Sequence, residues 1–333
     1  MTTSETGRPP AGPKSGARRG VLKRLMADYG QEIVVFAAIL ALFVVVTAIN
    51  PRFVSANNLT SIFSGNAYIA VAAIGMSMVI VTGNIDVSVG ALIGVLATIS
   101  GTLAVSGYPN WVAWFFPVLV GMAVMGVQGV LVAYARIPSI VVTLGMLSIL
   151  RGGLISVTGG TWISNLPADF LIAQKRLFDI PVPLVAMVVL TLLAAAWMRY
   201  FPFGRSLYAL GGNPEAAVAT GIPAERRIVA VFVIHGFFAG LATILFATQL
   251  QVIQSTVPPN LELTIITASV IGGVSILGGS GTVIGSTLAA ILFATIGSAL
   301  IFTNVSAYWR RAVIGLLILA TVLADMLRRR RTR

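Results

Sequence analysis

The feature that most constrains this chain is a succession of ten apolar runs, near residues 33–49, 62–82, 87–106, 111–134, 138–158, 181–200, 228–250, 262–279, 282–303 and 309–327. At about 1.5 Å per helical residue, each can roughly cross a hydrocarbon layer of about 30 Å. In lipid the backbone must satisfy its own hydrogen bonds, and barrel strands would be about half as long with alternating polarity. The runs therefore predict an all-α, polytopic integral membrane protein with about ten transmembrane helices. Composition agrees, with 57% hydrophobic and 10% charged residues.

The net charge of +12 sits in tails and loops rather than along a folded basic face, which argues for membrane topology and against nucleic acid. With the N-terminus inside, Arg18, Arg19, Lys23, Arg24, Arg136, Arg199, Arg205, Arg226, Arg227 and Arg328 to Arg331 fall on the cytoplasmic side. Arg52, Lys175 and Arg176 fall outside. Residues 1–30, rich in Thr, Ser, Gly, Pro and basic side chains, read as a disordered basic cytoplasmic tail, without the apolar core and cleavage site of a signal peptide. The transmembrane domain is expected over 31–327 and a second basic cytoplasmic tail over 328–333. With no cysteine and one histidine, the chain offers no disulfide framework, no thiolate site and no histidine-rich metal centre.

The longest polar interruption with helix punctuation is 204–223, GRSLYALGGNPEAAVATGIP. Asn213 can cap a helix, Pro214 suits its first position, Glu215 faces the positive end of its dipole, and Gly221 with Pro223 stops it. Two turns fall below the roughly 12–15 residues an isolated helix needs in water, so outside support is expected. Ala216, Ala217 and Ala219 offer a smooth surface for docking.

Two glycine-rich turns, 83–94 (GNIDVSVGALIG) and 272–285 (GGVSILGGSGTVIG), each interrupt a pair of apolar runs and read as a weak internal repeat with broken or closely packed helices. Within the first, Asp86 stands between Asn84 and Ser88. A carboxylate at membrane depth is retained where it is paired, hydrated or functional, so these three residues are candidates for a translocation pathway or for a helix cap. Arg151, the other candidate intramembrane charge, can pair with a carboxylate such as Asp86 or snorkel outward. His235 and Gln128 are polar groups on apolar helices, of the kind that bridge helices by hydrogen bonds. The lysines Lys14, Lys23 and Lys175 follow Pro, Leu and Gln, so no phosphate-cradling Gly-Lys-Ser/Thr loop exists and nucleotide chemistry must come from another chain.

Glu215-Ala216-Ala217 followed after three residues by Gly221 resembles the EAA loop, the coupling helix of ABC importer permeases. With NIDVSVG at 84–90, RIPSIVVTLGMLSILRG at 136–152, GGVSILGGSGTVIG and SAYWRRAVIGLLIL at 306–319, the chain resembles ribose-type ABC sugar permeases over about residues 30–330. TGGTWISNLPADF at 158–170 is also similar to importers of the ribose-like autoinducer and of rhamnose. The resemblance implies a non-catalytic subunit in a bacterial inner membrane, with both termini cytoplasmic. Its partners would be a second permease copy or paralogue, two cytoplasmic ABC ATPase domains and a periplasmic or lipid-tethered sugar-binding protein. ATP and Mg would be used by the ATPase subunits, with no cofactor bound here. It assigns ATPase coupling to Asn213, Glu215, Ala216, Ala217 and Gly221. An ion-coupled secondary transporter or channel, with Asp86 and Arg151 as coupling charges, is the competing class, and the EAA-like loop argues against it. A membrane-embedded enzyme would need a convergent catalytic set that the sparse carboxylates and His235 do not form in sequence.

Overall fold

The computed structural model describes residues 16–306 together with 309, 312, 313, 315, 316, 319 and 323. Among the described residues it is all-α apart from four two-residue strands, and seven helices are long and apolar enough to cross a membrane. They lie in α1 (Gly16–Ile49), in α2 (Ala56–Ser64) with α3 (Ala67–Val81) as one interrupted span, and in α5 (Asn110–Ala133), α6 (Ser139–Thr158), α7 (Val182–Tyr200), α10 (Ala224–Ala247) and α12 (Val283–Phe302). The helix at the N-terminus begins at Gly16, within the stretch expected to be a disordered tail.

The structure departs from ten full-length spans at two places. The third apolar run is α4 (Val89–Val105), at 17 residues a short helix. The eighth run, expected as a helix over 262–279, is helical only as α11 (Leu261–Ile271), which ends at Gly272. Beyond it Gly273, Gly278, Gly279 and Gly281 all take positive φ, a conformation that glycine adopts without penalty and that no helix continues through. The tenth run lies mostly outside the described residues, and those described within it are helical.

Both short helices belong to discontinuous spans. Residues 82–88 form a non-helical turn that leads into α4, and residues 249–260 are non-helical, in turns and bends around the two-residue strand Ile253–Gln254, and lead into α11. The second non-helical stretch lies along α4: Gly101 packs on Ile253, Gly94 on Val257 and Pro258, and, at the start of α11, Gly90 on Glu262. The N-termini of α4 and α11 thus meet, at the places where glycine leaves room for the opposing backbone. A two-residue strand pairing, Trp162↔Gln254 and Ile163↔Ile253, ties the same stretch to the loop after α6.

α3 is the most buried span, and its neighbours hold it by polar as well as apolar contact. Ser77 Oγ lies 2.6 Å from Ser286 Oγ of α12 and 3.2 Å from Ser269 Oγ of α11. Such bonds between helices matter where apolar side chains are as well solvated by lipid as by protein. α5 and α10 approach most closely along small residues: a Cβ at Gly236 would lie 2.4 Å from Gly121 O, and one at Gly240 2.6 Å from Val118 Cα. Gly236 and Gly240 form a small-x-x-x-small pair on α10, the spacing that lets helix backbones come together.

Candidate functional site

Asp86 lies in the non-helical turn before α4, and its side chain is fully buried. Its Oδ1 accepts from both the backbone N–H and the Oγ of Ser88, each at 2.7 Å. An Asp accepting from the residue two positions on is a local turn, and here it sets the direction in which α4 departs. Its Oδ2 lies 3.1 Å from His235 Nε2, near the middle of α10. Because the carboxylate accepts, the tautomer consistent with this contact donates from Nε2; Nδ1 then has no partner and faces Gly75, where a Cβ would come within 2.7 Å of it. Ser88 Oγ in turn receives Gln128 Nε2 of α5 at 3.0 Å. α6 supports the turn from the other side, with Ser139 Oγ accepting from Ile85 N at 3.2 Å and Thr143 Oγ1 from Val87 N at 3.1 Å. Asn84 is half-buried and donates to Thr82 Oγ1 at 3.0 Å.

Asp86 and Ser88 therefore come together in a buried polar knot joining α4, α5 and α10, and Arg151 is not part of it. The anticipated pairing of Arg151 with Asp86 is replaced by one with Glu262, whose Oε1 lies 3.8 Å from Arg151 Nη2. The guanidinium is half exposed, whereas the carboxylate is buried in the first turn of α11. Glu262 Oε2 occupies the space that a side chain at Gly90 would take, beside the first turn of α4. A negative charge at two converging helix N-termini is favourably placed, which gives a physical reason for a carboxylate at this depth. A groove of about 540 Å³ runs between α4 and α6, lined mainly by apolar side chains such as Val95, Leu150 and Leu154, with Thr98, Thr102 and Thr158 among them; Arg151 is not part of its lining.

The 204–223 segment folds into α8 (Pro202–Gly212) and the short α9 (Pro214–Ala219). Asn213 Oδ1 accepts from Ala216 N at 3.0 Å, Pro214 occupies the first turn, and Gly221 takes φ +87°. Ala217 is buried against its own chain, so it supports α9 from beneath instead of offering its face outward. The exposed side chains are Glu215, Ala216, Val218 and Ala219. Just before α9, Gly211 meets backbone directly: a Cβ there would stand 1.8 Å from Val81 O and 2.6 Å from Gly279 N. Gly279 N also donates to Val81 O at 2.8 Å, so the end of α3, the end of α8 and the glycine loop after α11 share one backbone junction. Only residues 82–85 lie between Val81 in this junction and Asp86 in the buried knot.

Sequence reasoning placed Asn84, Asp86 and Ser88 in one turn but did not identify His235 or Gln128 as their partners, nor Glu262 as the partner of Arg151. The one available signal was Gly236-x-x-x-Gly240 next to His235, which marks the face of α10 that packs closest.

Proteins named autoinducer 2 import system permease protein LsrC, from Yersinia pestis (strain Pestoides F) and Yersinia pseudotuberculosis serotype O:1b (strain IP 31758), are each 38% identical to the chain over 290 residues, covering 86% of it and 82% of the relative. No solved structure matches. Residues 58–322 match the family described as branched-chain amino acid transport system / permease component. The chain belongs to this permease family, as a non-catalytic subunit of the ribose-type importer class that its motifs resemble.

Proposed function

We propose that the chain forms the translocation pathway of an ATP-driven importer for a monosaccharide of ribose or rhamnose type, or for a ribose-like autoinducer, in the inner membrane of a bacterium. It pairs with a second copy or a paralogue, receives substrate from a periplasmic or lipid-tethered binding protein, and is driven by two cytoplasmic ATPase domains that supply ATP and Mg chemistry. The autoinducer reading is supported by the relatives' name. The observation that carries the mechanism is the backbone junction at Gly211, which connects the exposed α9 to the discontinuous span holding Asp86.

In this reading ATPase closure moves α9 through Glu215, Ala216, Val218 and Ala219. Asn213 and Gly221 fix the two ends of the helix, and Ala217 seats it on the bundle. The displacement passes through Gly211 to Val81 and then to residues 82–88. Asp86 and Ser88 hold the turn, so α4 moves as a unit against α6 and changes the width of the groove between them. A half-exposed guanidinium suits the hydroxyl groups of a sugar, and Arg151 is the pathway residue we assign. An ion-coupled transporter with Asp86 and Arg151 as its coupling pair is disfavoured because the two do not meet: Arg151 pairs with Glu262, and Asp86 is fully buried against His235.

Uptake of radiolabelled ribose, rhamnose and autoinducer by cells expressing the whole transporter tests the assignment, and uptake of none of them, with the permease present in the membrane, would remove the substrate class. Val218→Arg should lower substrate-stimulated ATP hydrolysis roughly tenfold in reconstituted vesicles, equivalent to about 1.4 kcal/mol of lost docking, while the protein still inserts. Unchanged stimulation would show that this face of α9 meets no ATPase. The orientation predicts that reporter fusions at Ser206 and Arg333 are active only inside the cell; activity outside would invert the model.

A further inference from the structure

At the α9 end of the bundle a groove of about 340 Å³ opens between α7 and α12, away from the groove between α4 and α6. Its polar wall contains Arg199 from the last turn of α7, Arg205 from the first turn of α8, Tyr208 and Thr282, while Ala195 and Ile284 belong to its apolar wall. Both arginines are exposed, and among the described residues no carboxylate forms an ion pair with Arg205. Tyr208 Oη donates to Gly281 O at 2.8 Å, and burial, with Glu32 nearby, raises its pKa above the ordinary phenol value, so the wall presents a neutral phenol. Glu32 itself accepts from Thr282 Oγ1. Leading away from the arginines, α7 exposes Leu193, Leu192, Val189 and Val188. Two guanidiniums where an apolar helix surface ends have the chemistry of a phosphodiester with hydrocarbon attached.

We propose that this groove binds the headgroup phosphate of an anionic phospholipid, with Arg199 and Arg205 on the phosphate and the acyl chains along the exposed face of α7. The contact pins the end of α7 to α8, the helix that leads into α9. Lipid occupancy therefore sets how firmly the coupling segment is anchored.

The test uses the full chain purified in detergent and titrated with phosphatidylglycerol, phosphatidylcholine or inorganic phosphate, with binding read by native mass spectrometry and by thermal unfolding. Phosphatidylglycerol should bind roughly tenfold more tightly than phosphatidylcholine. The Arg199→Gln/Arg205→Gln variant should lose that preference, Arg199→Lys/Arg205→Lys should keep part of it, and Arg226→Gln, outside the groove, should keep all of it. Membrane abundance of each variant separates lost binding from lost folding. An unchanged preference in the glutamine variant, or no preference in the wild type, overturns the site. Protection by inorganic phosphate equal to that by phosphatidylglycerol overturns the lipid and leaves a soluble phosphate site.

Discussion

Replacing His235 with leucine should cost about 3–5 kcal/mol, because it leaves the fully buried Asp86 carboxylate without its partner. Leucine cannot donate to Oδ2, and the side chain has no surface exposed to bulk solvent that could replace the bond. The expected result is a large fall in membrane abundance and in the unfolding temperature of the purified chain. Asp86→Asn should be milder. Its Oδ1 still accepts the two bonds from Ser88, and its amide can donate to His235 Nε2 once the ring proton moves to Nδ1. That proton then points at Gly75 with no acceptor, a loss of about 1–3 kcal/mol. A charge needed for transport would instead make Asp86→Asn inactive at full abundance and unchanged melting. His235→Leu at wild-type abundance and stability would show that the contact contributes nothing.

Gly211→Val should abolish uptake, by at least about a hundredfold, because its Cβ would lie far inside contact distance of two backbone atoms that cannot rotate away, Val81 O and Gly279 N. The junction must open, and with it the Gly279 N to Val81 O hydrogen bond. Gly212 provides the control one residue on, since nothing lies within 4 Å of its would-be Cβ. Gly212→Ala should transport normally. Equal uptake by the two variants, normalised to permease in the membrane, would disconnect Gly211 from transport.

The caps of α9 were legible because each is a local device: Asn213, Pro214 and Gly221 act within a few residues of themselves. The long spans were legible because hydropathy integrates over twenty residues. The same integration hid the end of α11, since glycine, serine and isoleucine in 272–281 average to an apolar run although the backbone there is not helical. Hydropathy also cannot distinguish Ala217, which faces the bundle, from Ala216 and Ala219, which do not. The buried knot was illegible for another reason. Asp86 and His235 are separated by 149 positions, and only the packing of α10 against α3 and α5 brings them together. Arg151 was visible as an isolated charge, but its pairing with Glu262 depends on where the second non-helical stretch stops and α11 begins.

The shortness of α11 also bears on how the protein is made. Eleven residues cover about half of a hydrocarbon layer, and the segment brings a carboxylate with it. Such a helix is a poor substrate for partitioning from the insertion machinery by itself, and the non-helical backbone before it cannot rest against lipid. The surfaces that receive it, on α3 and α4, are synthesised earlier in the chain. Biogenesis thus has an obligatory order: the N-terminal spans must already be gathered when residues 249–271 arrive, and this stretch enters the membrane by joining a bundle.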